Sequence, residues 1–143
     1  MARALEMARL SALRGEVPVG AVLVREGTLL AEGHNRTTLD SDPTAHAEVV
    51  VIRAAARAVG DWRLGDTTLY VTLEPCAQCC GAAVLARVAR VVYGASDPKA
   101  GMGGSLGNLL QDARLNHRTA LTTGVLAEPS GTLLKDFFRN RRK

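Results

Sequence analysis

The sequence of 143 residues has few aromatic residues, three cysteines and no long hydrophobic run. No stretch approaches the ~18 consecutive apolar residues that a membrane-spanning helix needs. The N-terminal segment interleaves Arg and Glu with apolar residues, so it lacks the hydrophobic region of a secretory signal. Aromatic residues make up 3% of the chain, which argues against an aromatic sheet on which RNA bases stack. These features predict a cytoplasmic protein with no membrane partner.

All three cysteines fall within residues 76–80, and two of them are adjacent. An odd number of cysteines in so short a stretch does not form the disulfide framework of small secreted domains. In a chain with no export signal, such a cluster indicates metal binding or redox chemistry.

The overall composition is that of a globular protein, with 47% apolar and 22% charged residues. This composition excludes a disordered chain and a collagen-like fibre. The length matches one domain, since domains typically have roughly 100–150 residues. We therefore expect a single domain over residues 1–143 that buries its own core.

The basic residues exceed the acidic ones by four, and the excess lies at the C-terminal end. Four of the 18 basic residues are Arg139, Arg141, Arg142 and Lys143, so the preceding part of the chain is neutral. A basic tail of this kind indicates contact with nucleic acid. The alternative is a solvated helix end whose arginines complement the helix dipole.

Apolar periodicity and turn residues predict alternating strands and helices. The predicted helices cover 2–13, 43–59, 76–87 and the segment from Pro129 to the C-terminus, with 109–115 as a further short candidate. The predicted strands cover 17–25, 28–33, 67–73, 90–95 and 119–126. This order predicts an α/β fold with three α/β/α layers around a central mixed five-stranded sheet.

The second of these helices is one of two that carry candidate metal ligands. Asp42 is its predicted N-cap, because Pro43 would then occupy the first helical position. Its apolar residues Val49, Ile52, Ala56 and Val59 are predicted to lie on one face.

Two short segments at predicted helix starts offer metal ligands. His46 and Glu48 lie in the first, and Cys76 and Cys79 lie in the second. The cysteines share one helix face, where the helix dipole favours the thiolate that binds metal. His46 and Glu48 are roughly 200° apart on a helix, so one can bind a metal while the other acts as a base. Three protein ligands and one open position are typical of a catalytic zinc site.

Each of these residues also has an ordinary structural interpretation. A single histidine in an early helical turn is usually structural, a single glutamate on a helix is usually solvated, and a Cys-x-x-Cys pair alone is ambiguous between zinc and redox chemistry. Their conjunction favours the metal site. Cys80 is either a small buried hydrophobic residue or, being four residues after Cys76, a replacement for Cys79 as ligand.

The pattern H-x-E followed by P-C-x-x-C is the signature of zinc-dependent nucleobase deaminases. The chain resembles, over nearly its whole length, the bacterial tRNA-specific adenosine deaminases of the cytidine/deoxycytidylate deaminase superfamily. The resemblance rests on EVPVGAV at 16–22, TLEPC at 72–76, the pair Asn116 and His117, and FFR at 137–139. Gln78 and Cys80 depart from the family pattern, in which Met and Ala are usual.

The resemblance implies a cytidine-deaminase-like fold and hydrolytic deamination of adenosine to inosine at the wobble position of a tRNA anticodon. It implies one zinc ion per chain, held by His46, Cys76 and Cys79, which activates a water while Glu48 shuttles protons. It also implies a homodimer that binds the tRNA anticodon stem-loop.

Further residues are candidates for substrate binding. The resemblance assigns Asn35 to the flipped base or its ribose, and the backbone of Ala47 lies at a helix start that can steady an oxygen. Asp97 and Lys99 follow the fourth strand, where open sheets usually bind ligands. The remaining candidates are Asn116, Arg139 and Arg141.

Three other functions remain open at this point. The nearest is a guanine deaminase, or another free-base or nucleoside deaminase, of the same superfamily, which would not need the basic tail. A nucleic-acid-binding module with a structural zinc would need a fourth ligand. A thiol-disulfide oxidoreductase that uses Cys76 and Cys79 would leave His46 and Glu48 without a role.

Overall fold

A mixed five-stranded sheet forms the centre of the computed structural model, which describes residues 1–142. Its strands are β1 (Gly20–Arg25), β2 (Thr28–His34), β3 (Thr67–Leu73), β4 (Arg90–Ala95) and β5 (Ala120–Thr122). They are arranged in the order β2-β1-β3-β4-β5. β1 is antiparallel to both β2 and β3, whereas β3, β4 and β5 are parallel. Parallel neighbours place their carboxyl ends at the same edge, and the candidate metal ligands collect there.

Four helices cover the two faces of this sheet: α1 (Ala2–Leu13), α2 (Ala47–Val59), α3 (Ala77–Leu85) and α4 (Ala127–Arg141). Gly20, Thr72 and Gly94 share one sheet face, where Gly20 lies against α1 and Gly94 against Ser130 of α4. Gly33 faces α2 on the opposite side. The predicted three-layer α/β/α fold is therefore confirmed.

Glycine sets the spacing of the layer that contains α1 and α4. A Cβ at Gly20 would overlap the backbone of Ala4, and one at Gly94 would overlap the carbonyl oxygen of Thr72. Both helices approach the sheet backbone so closely that neither position tolerates a side chain. Buried Leu23, Leu69, Val51, Val71 and Val91 fill the other interface.

The predicted start of the second helix is wrong. α2 begins at Ala47, and the oxygen Oδ1 of Asp42 instead accepts hydrogen bonds from the backbone N–H of Thr44 (2.8 Å) and from its hydroxyl (2.7 Å). Asp42 thus stabilises a turn, which short acidic side chains do as readily as they cap helices. His46 occupies the N-cap position.

Of the predicted apolar face of α2, Val49 is buried, and Ile52 and Ala56 are partly buried against the core. The sheet contacts Ala47, Val51 and Ala55, which are fully buried, whereas Val59 is exposed. Val49, Ile52 and Ala56 line a groove between α2 and α3. The helix therefore has two apolar faces: one packs on the sheet, and the predicted one lies towards α3.

Other parts of the prediction also differ from the structure, including the following three. β1 begins at Gly20 and not at residue 17, β5 covers only Ala120–Thr122, and residues 109–115 form turns instead of a short helix. Backbone hydrogen bonds from Leu109 to Met102 and from Thr119 to Leu110 hold that segment in an irregular path. Among residues 1–142, no helix combines the length and the apolar character that crossing a bilayer requires.

Candidate active site

The start of α2 and the start of α3 meet at the carboxyl end of β3. His46 and Cys76 occupy the two N-cap positions, and Cys79 lies one turn into α3. The Nδ1 atom of His46 is 3.5 Å from Sγ of Cys76 and 3.4 Å from Sγ of Cys79. The fold therefore brings together three potential ligands that are separated by up to 33 residues in sequence.

The geometry of these three atoms fits a tetrahedral metal ion. All of them lie within 4.8 Å of one another. Zn–S bonds of about 2.3 Å and Zn–N bonds of about 2.0–2.1 Å at tetrahedral angles place sulfur and nitrogen about 3.5 Å apart. The observed distances match this spacing, and an imidazole with two thiols suits zinc.

Hydrogen bonds within this group favour the ionised form of one sulfur. The thiol of Cys79 and the imidazole of His46 lower the pKa of Cys76 to about 4, despite partial burial. The interaction with Cys76, together with burial and the nearby Glu48, raises the pKa of Cys79. A thiolate at a helix N-terminus is the form that binds metal.

Glu48 lies beside this group in the first turn of α2, and 4% of its surface is exposed. Burial raises the pKa of its carboxyl group, and hydrogen bonds from its own backbone N–H and from the thiol of Cys79 offset part of that rise. A carboxyl group with a raised pKa can both accept and return a proton near neutral pH.

A cavity of 240 Å³ opens onto the metal-ligand group. It is smaller than the ~300–1,000 Å³ of drug-sized ligand sites, so it suits a small heterocycle. Its lining residues are Val17, Val19, Asn35, Thr37, His46, Ala47, Glu48, Leu73, Glu74, Cys76, Asp97 and Ala100.

A larger cavity of 880 Å³ adjoins the first, and the two share Val17, Leu73 and Asp97. It has an apolar floor that includes Phe138, and none of the three ligand residues lines it. Its basic residues are Lys99, Lys135, Arg139 and Arg142. Chemistry at the ligand group is therefore confined to the small cavity, whereas the larger one can hold an extended anionic molecule.

Two buried carboxylates beside the small cavity were not singled out by the sequence. Glu16 is 1% exposed and accepts hydrogen bonds from the Nδ2 of Asn35 (3.0 Å), the hydroxyl of Thr37 (3.4 Å) and the backbone N–H of Leu39 (2.6 Å). It fixes the orientation of the Asn35 amide, so that Oδ1 remains free for a ligand.

Glu74 is the second of these carboxylates, and it follows β3 directly. Burial alone would raise its pKa, but hydrogen bonds from Ser105, Asp97 and Gly103 together lower it. The sequence did carry a signal for both residues, because Glu16 begins the otherwise apolar motif EVPVGAV and Glu74 lies within the motif TLEPC.

The structure separates the candidate substrate-binding residues into groups. Asn35, Ala47 and Asp97 line the small cavity, and Lys99 and Arg139 line the larger one. The guanidinium of Arg141 instead donates to the carbonyl oxygen of Gly15 (2.9 Å) and stacks over the ring of Phe137. Lys143, which contributes to the basic tail, lies outside the described residues.

Asn116 is not brought to either cavity. The neighbouring His117 bonds through Nε2 to the carbonyl oxygen of Val88, before the first residue of β4. This is the amino end of the parallel strands, roughly 20 Å from the metal-ligand group at 3.3 Å per residue. Within one chain, Asn116 therefore lies at the opposite edge of the sheet, and its role as a substrate contact stays a prediction.

The two departures from the family pattern have local partners. Sγ of Cys80 is buried against the carbonyl oxygen of Pro75 (3.5 Å), outside the group formed by His46, Cys76 and Cys79. Nε2 of Gln78 donates to the carbonyl oxygen of Thr44 (3.1 Å), which links α3 to the loop before α2.

The chain is similar to known deaminases over its whole length. The family model of the MafB19-like deaminases matches residues 1–142. A tRNA-specific adenosine deaminase of Bacillus subtilis is 50% identical over 143 residues, which are 100% of this chain and 89% of the relative.

Two solved structures resemble the fold. One comes from a study of A-to-I editing by tRNA:A34 deaminases at the wobble position of transfer RNA. It has a TM-score of 0.89 and 44% identity, and the match covers 94% of this chain and 97% of the other. The guanine deaminase of Bacillus subtilis has a TM-score of 0.66 and 34% identity, with 99% and 91% covered.

Proposed function

We propose, since the chain belongs to the family of the tRNA-specific adenosine deaminases, that it converts adenosine to inosine at the wobble position of a tRNA anticodon. The observation that carries this proposal is the cavity in which buried Glu48 and Asn35 face the group of His46, Cys76 and Cys79. The enzyme is a hydrolytic deaminase. Its proposed organisation is a single domain over residues 1–143, and its proposed location is the cytoplasm.

The proposed cofactor is one zinc ion per chain, held by His46, Cys76 and Cys79. When bound, zinc supplies a Lewis acid that makes a water molecule nucleophilic near neutral pH. The fit of the three ligand atoms to a tetrahedral ion supports this choice.

Glu48 is the proposed proton carrier. It accepts one proton from the water whose oxygen attacks C6 of adenine and delivers that proton to ring N1. It then accepts the second proton of the same water from the oxygen now bonded to C6 and delivers it to the departing amine. Adenosine and water thereby give inosine and ammonia. Burial supports this role, because it raises the pKa of the carboxyl group towards the working pH.

Asn35 and Ala47 are the proposed contacts that orient the base. The Nδ2 of Asn35 is held by Glu16, which leaves Oδ1 available to the base or its ribose. Ala47 is the first residue of α2, so its backbone N–H is among those that have no partner within the helix. Because these polar groups are already fixed in position, they reduce the entropic cost of orienting a substrate.

The metal site gives the first prediction. Cys76→Ser should lose zinc, because a serine hydroxyl remains protonated where a thiolate is needed. Cys80→Ala is the matched control and should retain one zinc per chain, because Cys80 lies outside the ligand group. Metal content of the purified proteins, measured by elemental analysis, decides the assignment. Loss of zinc from Cys80→Ala with retention in Cys79→Ala would contradict it.

The proton carrier gives the second prediction, which also tests the function. Glu48→Gln should retain zinc and the fold but lose at least about 10³–10⁴-fold in rate, since an amide cannot accept and return the proton. The assay is sequencing of anticodon stem-loop RNA after incubation, in which inosine is read as guanosine. Glu26→Gln, in the exposed turn between β1 and β2, is the matched control. More than a tenth of the wild-type rate in Glu48→Gln would contradict the role.

The basic residues of the larger cavity are the proposed contacts of the RNA backbone. Lys99 and Arg139 line it together with Arg142. The only ion pair of Arg139 among the described residues is with Asp136 at 3.5 Å, and both side chains are exposed. An exposed ion pair of this kind contributes little to the free energy of folding, so the guanidinium of Arg139 is available to a phosphate.

The salt dependence of RNA binding gives the third prediction. Each phosphate contact on single-stranded RNA contributes about 0.7 to the slope of log K against log salt. Arg139→Ala should therefore lower the slope by about that amount. Arg141→Ala should lower it less, because its guanidinium already binds the carbonyl oxygen of Gly15. Equal slopes for the wild type and Arg139→Ala would exclude the contact.

A homodimer is the proposed assembly, and the α2–α3 groove is its proposed surface. The groove has a volume of 580 Å³ and lies beside two exposed apolar side chains, Trp62 and Leu85. Arg63 and Arg87 lie over the Trp62 ring, 5.3 and 5.7 Å from its centroid. Exposed tryptophan with flanking arginine is typical of contact surfaces between proteins.

Disruption of this surface gives the fourth prediction. Leu85→Glu should convert the dimer to a monomer in sedimentation velocity, because it places a charge in the apolar contact. Leu13→Glu is the matched control, since Leu13 is 85% exposed at the end of α1, on the other face of the sheet. Dimers of unchanged stability in Leu85→Glu would exclude the α2–α3 surface.

The second candidate function is guanine deamination, which the similarity to a guanine deaminase favours. The same zinc ligands and Glu48 would serve it. The basic cavity beside the small one favours RNA, because a free base has no phosphates to bind. A structural zinc or a redox pair is less suited to the site, since both leave buried Glu48 and the cavity without a role.

A further inference from the structure

Glu74 is a buried carboxylate that binds a loop from the other side of the small cavity. Its side chain lies between β3 and residues 97–105, here called the substrate loop, and the residue is 2% exposed. Oε1 accepts hydrogen bonds from the backbone N–H of Asp97 (2.9 Å) and from the hydroxyl of Ser105. Oε2 accepts them from the backbone N–H of Gly103 (3.1 Å) and of Ser105 (3.0 Å).

No lysine, arginine or histidine within residues 1–142 pairs with this carboxylate. Its charge is stabilised by three backbone N–H groups and one hydroxyl, and all of them belong to the substrate loop. A buried carboxylate is costly unless its oxygens are satisfied, so the loop conformation and the ionised side chain depend on each other.

The substrate loop also packs on the strand-to-helix junction that carries a metal ligand. The backbone N–H of Met102 donates to the carbonyl oxygen of Pro75 (2.9 Å), and Gly101 forms a β-bridge with Cys76. A Cβ on Gly101 would overlap the carboxyl group of Glu74, so glycine is needed for the loop to close on it. The loop is thus held against the Glu74–Cys76 segment at several points.

We propose that Glu74 is a positioning residue that fixes the substrate loop, and with it Asp97, at the wall of the active site. Asp97 lines both cavities, Ala100 lines the small one and Lys99 the larger one. Displacement of the loop therefore changes the surface on which the RNA rests, while the ligand group and Glu48 stay in place. This inference rests on the proposed function, because RNA is the ligand whose binding depends on the loop.

The substitution Glu74→Gln should affect the four hydrogen bonds of this side chain unequally. Glutamine has one acceptor oxygen, so its NH₂ group must replace either Oε1 or Oε2. At Oε2 it would face two backbone N–H groups, whereas at Oε1 the Ser105 hydroxyl can turn and accept a hydrogen bond. The second arrangement is therefore preferred, and the bond that it loses is the one from Asp97.

The experiment compares zinc-loaded wild type with Glu74→Gln. We expect amide hydrogen exchange of the substrate loop to become faster and KM for anticodon stem-loop RNA to rise about tenfold or more, since small misplacements of substrate contacts are costly. We expect kcat to stay within about threefold and zinc content to be unchanged, because all four hydrogen bonds that the carboxylate accepts come from the substrate loop. Ser105→Ala keeps all three backbone bonds and should show a smaller rise in KM.

Two further variants keep the test decisive. Gly101→Ala places a methyl group against the carboxylate and should reproduce the effect if Glu74→Gln does not fold. Gly65→Ala is the matched control, because no heavy atom lies within 4 Å of a Cβ at that position. Unchanged KM and unchanged exchange, or loss of zinc from Glu74→Gln, would overturn the proposal. If the wild type does not act on RNA, the proposed function fails, and the exchange measurement still decides whether Glu74 holds the loop.

Discussion

The structure depends on one geometric constraint: the N-termini of α2 and α3 must meet at the carboxyl end of β3. His46 and Cys76 are the N-cap residues of these helices, and a shift of either helix by one residue would turn its ligand away from the other two. β2 and β3 are both antiparallel to β1, so their carboxyl ends lie at the same edge of the sheet, and α2 and α3 follow these two strands in the chain. The ligand group is therefore a product of sheet topology, and the small cavity forms where the same elements leave space.

Buried carboxylates hold two of the walls of that cavity. Glu16 binds Asn35, Thr37 and Leu39 on one side, and Glu74 binds the substrate loop on the other. Each carboxylate stabilises irregular backbone, for which no neighbouring strand supplies hydrogen bonds. Directional bonds of this kind fix polar groups in position before substrate binds, which is what catalysis in a small cavity requires.

The sequence predicted the features that depend on local pattern. Alternation of apolar runs and helical segments gave the three layers, and the ligand residues could be identified because helix starts carry recognisable chemistry. The start of α2 was misplaced because Asp42 and Pro43 suit a turn as well as a helix start. The roles of Glu16 and Glu74 were not predicted, since their partners are backbone amides and side chains that the fold brings from up to 31 residues away. Asn116 illustrates the same point, because its position at the opposite edge follows from strand direction and not from any local motif.

The central claim is that the small cavity deaminates an adenine that the adjoining basic cavity presents as part of an RNA. The most direct measurement is a comparison of kcat/KM for the wobble adenosine of an anticodon stem-loop with kcat/KM for free guanine, free adenosine and cytidine, all with the zinc-loaded enzyme. The account predicts that the stem-loop exceeds every free substrate by several orders of magnitude, because much of the binding free energy comes from phosphates that free bases lack. Efficient deamination of guanine, with no inosine formed in the stem-loop, would contradict it.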